Sequence, residues 1–167
     1  MATQQPPSTE KLDKFYSQFL NEKGKGILAE YLVVKELIYA LSDTDLDQIK
    51  ENSIYFNPVP SPASRSKLNQ PLVQGSSIVT IDTNSTSLFS PREVVAIILH
   101  EIGHALKPQL TNMEGEYSAD DYAVERGFGT EIISSLIISI QRDPANYNNQ
   151  STDLRLKRIG KLLEKDR

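Results

Sequence analysis

The stretch "FSPREVVAIILHEIGHALKPQL", residues 89–110, decides how the rest of the chain is read. Three helix-starting signals coincide at its beginning. Ser90 is a good N-cap, Pro91 suits the first helical position, and Glu93 completes a capping box. Pro108 cannot continue a helix, so the segment predicts one from Pro91 to about Leu106. His100 and His104 stand four residues apart on it, on the same face and one turn from each other. Two imidazoles so placed can converge on one metal ion at roughly 2.0–2.1 Å each. Glu101 follows the first histidine directly. The helix sets it beside such an ion rather than aimed at it, where it can take a proton from bound water. Zinc lowers the pKa of that water toward about 7, so a carboxylate can activate it at neutral pH.

The competing interpretation is a buried helix whose histidines only pack. Against it, the chain contains two histidines in all, and both fall in this pattern with Glu101 between them. There is no cysteine, so a third protein ligand is neither His nor Cys and must be sought among Asp and Glu. The metzincin continuation fails, because Lys107 stands where a glycine is expected and Leu110 where the third histidine would be. The nearest acidic cluster is "MEGEYSADDYAVERG", residues 113–127, reached through the short "KPQLTN" turn. Glu116 and Asp120 are spaced i, i+4 on a helix expected to fold back antiparallel. Glu116 can bind zinc, and Asp120 can accept a hydrogen bond from the far ring nitrogen of a ligand histidine. Glu114 and Asp121 compete for these places. Asp121 lies about 100° around the helix from Asp120, so both cannot face the metal. An acidic first turn that merely complements the helix dipole is a further possibility.

"HEIGH" followed by "EYSADDYAV" resembles the gluzincin zinc peptidases, and most closely the pattern of the HtpX and CAAX-prenyl-protease family. The resemblance covers about residues 76–130. It implies His100 and His104 as zinc ligands, Glu101 as general base, Glu116 as third ligand and Asp120 as the residue supporting a ligand from behind. It implies one zinc ion per chain. The "STDLRLKRI" segment, residues 151–159, loosely resembles that family's H-P-S/T-x-x-x-R-I, which would place Arg155 or Arg158 near the site; the usual His-Pro is replaced here. The family's usual members are membrane proteins with a longer insertion between the histidines and the glutamate, whereas eleven residues separate His104 from Glu116 here. The chain is more similar to the soluble minigluzincins, and around the motif to the ImmA/IrrE group of intracellular regulatory peptidases. In a zincin fold, the strand "SSIVTID" would border the cleft as an edge and pair with an extended peptide.

Around this centre the chain reads as a succession of helices. Residues 1–7 form a polar tail with two prolines. A first helix is expected over "TEKLDKFYSQFLNEK", capped by Ser8 or Thr9. A second carries the apolar stripe Ile27, Tyr31, Val34, Ile38 and Leu41, and "SDTDLDQIKEN" reads as a cap and a short third. Residues 57–75, with four prolines, read as a long loop. "SSIVTIDT" alternates Ile78, Thr80 and Asp82 against Val79 and Ile81 and is a strand; "IYF", residues 54–56, is a candidate second one. Helices are expected from about Met113 to Glu125, over "TEIISSLIISIQR", and from about Thr152 onward. The expected architecture is α+β and mostly helical, zincin-like with a small sheet. Residues 8–167 form a single domain in this reading: a helical layer over 8–52, the catalytic core over 53–142 and a C-terminal helix over 150–167.

Composition bounds the function. The chain has 167 residues with 38% hydrophobic and 24% charged, which excludes wholesale disorder and fibres. The net charge of −4 argues against a chain-wide nucleic-acid footprint. The cationic residues of "RLKRIGKLLEKDR" are better read as the solvated face of a helix that packs Leu156, Ile159, Leu162 and Leu163 inward. No segment provides the about 20 apolar residues of a membrane span, and "MATQQPPSTEK" lacks the features of a secretory signal; a cytoplasmic location is expected. The sequence thus predicts a soluble zinc metalloendopeptidase whose partner is a protein or peptide substrate. The alternative is a zinc-binding regulatory or assembly protein of the same fold that does not cleave. A purely helical interaction module without metal is the third option. Tyr117, Tyr122, Arg155 and Arg158 are the candidates for stabilising an oxyanion.

Overall fold

The computed structural model describes residues 6–20, 32–59, 74–82 and 88–165. The chain gathers into two compact units, Met1–Thr83 and Asn84–Arg167. Helices dominate, with one small sheet, so the architecture is α+β and mostly helical. No helix among the described residues is long and apolar enough to cross a membrane.

In the first unit, α1 (Thr9–Ser17) starts at Ser8, whose side chain accepts the Lys11 N–H at 3.1 Å. The helix expected as far as Lys23 ends early. After Gln18 the backbone turns to pair with a strand instead: Leu20 N–H donates to the Phe56 carbonyl at 3.0 Å, and Phe56 N–H to that of Gln18 at 2.9 Å. The reason is aromatic packing. The rings of Phe15, Phe19 and Phe56 lie 5.2–5.6 Å apart, in tilted and edge-to-face pairs. In α2 (Leu32–Ala40) the expected stripe is buried at Val34 and Ile38, as is Leu41 just beyond it; Ile27 and Tyr31 lie outside the described residues. Ser42 and Asp45 form a capping box at the start of α3 (Asp43–Glu51).

The two strands, β1 (Ile54–Val59) and β2 (Ser77–Asp82), run parallel, from Ile54 opposite Ser77 to Val59 opposite Asp82. A parallel pair needs a crossover of a dozen or more residues, which 60–76 supplies. Residues 57–59, expected in the loop, continue β1. Pro58 is compatible with this because, among the described residues, the bridge from Phe19 meets β1 at Phe56 and not at Pro58, where a missing N–H is tolerated. The rest of the expected loop up to residue 73 lies outside the described residues. The predicted alternation holds in β2, where Val79 is buried while Ile78 and Thr80 are exposed.

The second unit is helical: α4 (Pro91–Leu106), α5 (Asn112–Val124), α6 (Gly129–Arg142), the single turn α7 (Pro144–Tyr147) and α8 (Gln150–Lys165). The α4 boundaries are those its capping signals predict. Ser90 N–H donates to the Glu93 carboxylate at 2.6 Å, and Glu93 N–H to Ser90 Oγ at 3.3 Å. Val95, Ala96, Leu99 and Ile102 are fully buried on α4. Ile159 of α8 is fully buried as well, the centre of the apolar stripe expected there.

Two glycines set the path of the chain for different reasons. Gly127 ends α5 in the left-handed region, φ 81°, and Phe128 N–H reaches back to the Ala123 carbonyl at 3.0 Å. Gly103 lets two helices touch. A methyl group there would lie 2.7 Å from Ala119 Cα and 3.1 Å from Tyr122 Cβ. α4 and α5 therefore cross closer than a side chain at position 103 would allow.

Candidate metal centre

α4 and α5 pack antiparallel, as expected after the short turn: His104 lies against Glu116, and His100 against Glu116 and Asp120. Three side chains converge. His100 Nε2 and His104 Nε2 are 3.1 Å apart. Glu116 places Oε2 3.6 Å from His100 Nε2 and Oε1 3.4 Å from His104 Nε2. Two ligands held about 2.05 Å from a tetrahedral centre lie roughly 3.3 Å apart, close to the separations of His104 Nε2 from His100 Nε2 and from Glu116 Oε1. Two imidazole nitrogens and a carboxylate oxygen are also a donor set of the kind zinc takes. Among the described residues, His100, His104 and Glu116 are the group that could hold a metal ion.

The far side of His100 is fixed. Its Nδ1 is 2.9 Å from Asp120 Oδ1, and Asp120 is fully buried. A carboxylate there accepts a hydrogen bond, so Nδ1 carries the hydrogen and Nε2 presents its lone pair to the centre. Arg155 of α8 closes the arrangement. Its Nε and Nη2 donate to Asp120 Oδ2 and Oδ1 at 2.9 and 2.7 Å, and its Nη1 pairs with Glu116 Oε2 at 2.7 Å. Burial raises the Asp120 pKa, but the hydrogen bonds from His100 and Arg155 outweigh it and hold the carboxyl below its ordinary range. Burial likewise works against the Arg155 charge and is outweighed by Asp120, so the guanidinium stays protonated.

Glu101 is exposed beside His100, and its charge is felt by the Arg155 guanidinium. Of the competing acids, Glu114 is exposed on the first turn of α5. Asp121 turns away and is held by Arg158 Nη1 and Nη2 at 2.5 and 2.6 Å. The weak C-terminal signal thus resolves between its two arginines: Arg155 enters the cluster and Arg158 does not. Both point to carboxylates of α5 rather than forming a free cationic face. The rings of the two tyrosines considered for an oxyanion are each covered by an arginine. The Arg158 guanidinium lies 4.8 Å from the Tyr117 ring centre and that of Arg126 3.3 Å from the Tyr122 ring centre.

Sequence reasoning missed the wall beside the centre. A cavity of about 590 Å³ adjoins His104, Glu116 and Arg155, and much of its lining comes from the link between α6 and α8. That link, "DPANYNN", carries no charge pattern or periodicity that would mark it. No family model, curated protein or solved structure matches the chain.

Proposed function

We propose that the protein is a zinc-dependent endopeptidase of the gluzincin kind, with a zincin-like fold around α4 and α5. The observation that carries this reading is the convergence of His100 Nε2, His104 Nε2 and the Glu116 carboxylate within 3.1–3.6 Å, with Glu101 adjacent in sequence and open to solvent. Zinc held there would lower the pKa of a coordinated water toward about 7 and polarise a peptide carbonyl. The residues of the chain do the rest. Glu101 accepts the proton of the attacking water and passes it to the leaving amine, so that one water adds across the C–N bond to give an acid and an amine. Asp120 keeps His100 in the tautomer that binds metal. Arg155 holds Oε2 of Glu116, leaving Oε1 toward His104, and both oxygens of Asp120, so α8 fixes the carboxylates that α5 supplies.

The test compares zinc-loaded wild type with Glu101→Gln on casein and on a mixed peptide library. Wild type should cleave, and the variant should keep its zinc while losing at least about two orders of magnitude in rate, the scale of general-base catalysis. Equal cleavage by both would remove Glu101 from the mechanism. Zinc without any cleavage by wild type would favour the regulatory alternative.

A further inference from the structure

The cavity beside the candidate metal centre has a lining that the proposed chemistry leaves unused. Its volume of about 590 Å³ falls within the roughly 300–1,000 Å³ typical of ligand pockets. Beyond His104, Glu116 and Arg155, it is lined by Asn146, Tyr147 and Gln150 from the link into α8 and by Asn112 at the start of α5. The link is built rather than loose. Asn149 Oδ1 accepts the Thr152 N–H at 3.0 Å, Asn149 Nδ2 donates to the Asn146 carbonyl at 2.7 Å, and Asn146 Nδ2 donates to Asp143 Oδ2 at 2.7 Å. Ser151 Oγ reaches Met113 Sδ at 2.7 Å and ties the start of α8 to the start of α5. A wall fixed before binding loses little entropy when a ligand arrives.

Charge decides what fits. Among the described residues lining the cavity, Glu116 and Arg155 are the two with full charges; they face the metal centre and pair with each other at 2.7 Å, while the lining from Asn146 to Gln150 is uncharged. Against that uncharged wall of Asn146, Tyr147, Asn149 and Gln150, a charged side chain would give up its water and meet no opposite charge. An amide or phenol end can exchange hydrogen bonds with Asn112, Tyr147 or Gln150, while an apolar body rests against Leu110 and Met113. Tyr147 is 41% exposed, so its surface is accessible to such a partner.

We infer that this cavity is the subsite that selects the substrate, taking uncharged side chains with an apolar body and a hydrogen-bonding end, such as glutamine or tyrosine, from the peptide beside the scissile bond. The identity of the occupant as a peptide rests on the endopeptidase reading, whereas the charge preference rests on the cavity itself.

The test uses zinc-loaded Glu101→Gln protein, in which binding is read without turnover. Fluorescein-labelled hexapeptide pools, each with one position fixed as Gln, Tyr, Glu or Lys, are titrated by fluorescence anisotropy. At one position the Gln and Tyr pools should bind at least tenfold tighter than the Glu and Lys pools. Adding Gln150→Arg should raise affinity for the Glu pool at least tenfold, and adding Tyr147→Ala should weaken the Gln and Tyr pools, with zinc content unchanged in both. Pools that bind alike, no binding at all, or a pattern untouched by both substitutions would overturn the subsite. Hydrolysis of the same pools by wild type is read separately. Selective binding without hydrolysis counts against peptidase chemistry alone, and hydrolysis without selectivity counts against the subsite alone.

Discussion

Asp120 and Asp121 are neighbours on α5, and each is gripped by an arginine of α8 in a two-pronged pair. Arg155 donates to Asp120 at 2.9 and 2.7 Å, and Arg158 donates to Asp121 at 2.5 and 2.6 Å. The chemistry is the same, but the settings differ. The Asp120 side chain is 0% exposed and that of Arg155 13%, against 35% and 31% for Asp121 and Arg158. One residue of offset, about 100° around the helix, sends the first carboxylate under His100 and the second toward solvent beside Tyr117. The same ion pair thus positions His100 in one case and clasps two helices in the other. Burial and the third partner make the difference.

Truncating each aspartate should expose this contrast most strongly. Asp120→Ala leaves His100 Nδ1 without its acceptor and Arg155 buried with Glu116 as its remaining carboxylate. It should cost about 3–5 kcal/mol, as breaking one side of a buried pair does. Because it frees the His100 tautomer, it should also weaken zinc binding about 10–100-fold. Asp121→Ala should cost under about 1 kcal/mol and leave zinc affinity within a factor of two or so. Urea unfolding and competitive zinc titration read both quantities. Comparable losses in the two variants would erase the distinction.

The helix crossing that creates the contrast can be strained directly. Gly103→Ala puts a methyl group 2.7 Å from Ala119 Cα, a backbone atom that cannot swing aside. It should cost about 1–3 kcal/mol in unfolding free energy, and, by moving α5 away from α4, it should weaken zinc binding even though Gly103 touches no donor. Unchanged zinc affinity would show that the site tolerates a looser crossing.

The sharpest limit on legibility lies in this same region. The α4 boundaries, both histidines, Glu101 and the pair Glu116 and Asp120 could be picked from the sequence, because local spacing and caps encode helices and the residues that share a face. Arg155 could be named only beside Arg158, because its role depends on how α8 packs against α5, 35 residues away in sequence from Asp120. The early end of α1 and the extension of β1 through Pro58 were hidden for the same reason. In each, a pairing with a distant segment overrides a local signal, helical propensity in one and proline in the other. The cavity wall at residues 146–150 has no pattern at all, since its role comes from where it folds.

A smaller effect separates acid sensitivity at the site from that of the α4 cap. Burial raises the Glu93 pKa, but hydrogen bonds from Ser134 and Ser90 outweigh it and leave the group below its ordinary 4.5. A depressed carboxyl stabilises fully above the unfolded value and loses that contribution as pH falls through the folded one. Glu93→Ala should therefore cost about 1 kcal/mol near pH 7, the usual worth of a cap, and the gap to wild type should shrink as the pH drops below 4.5. A gap that stays constant down to acid pH would mean that the carboxylate form is not what stabilises the start of α4.

The most direct test of the central claim is zinc per chain, measured by native mass spectrometry on protein purified without added metal. The geometry of His100, His104 and Glu116 predicts one tightly held zinc. No zinc, and none taken up after dialysis against it, would leave two packed histidines and an Arg155-bound glutamate, and would contradict the metallopeptidase account.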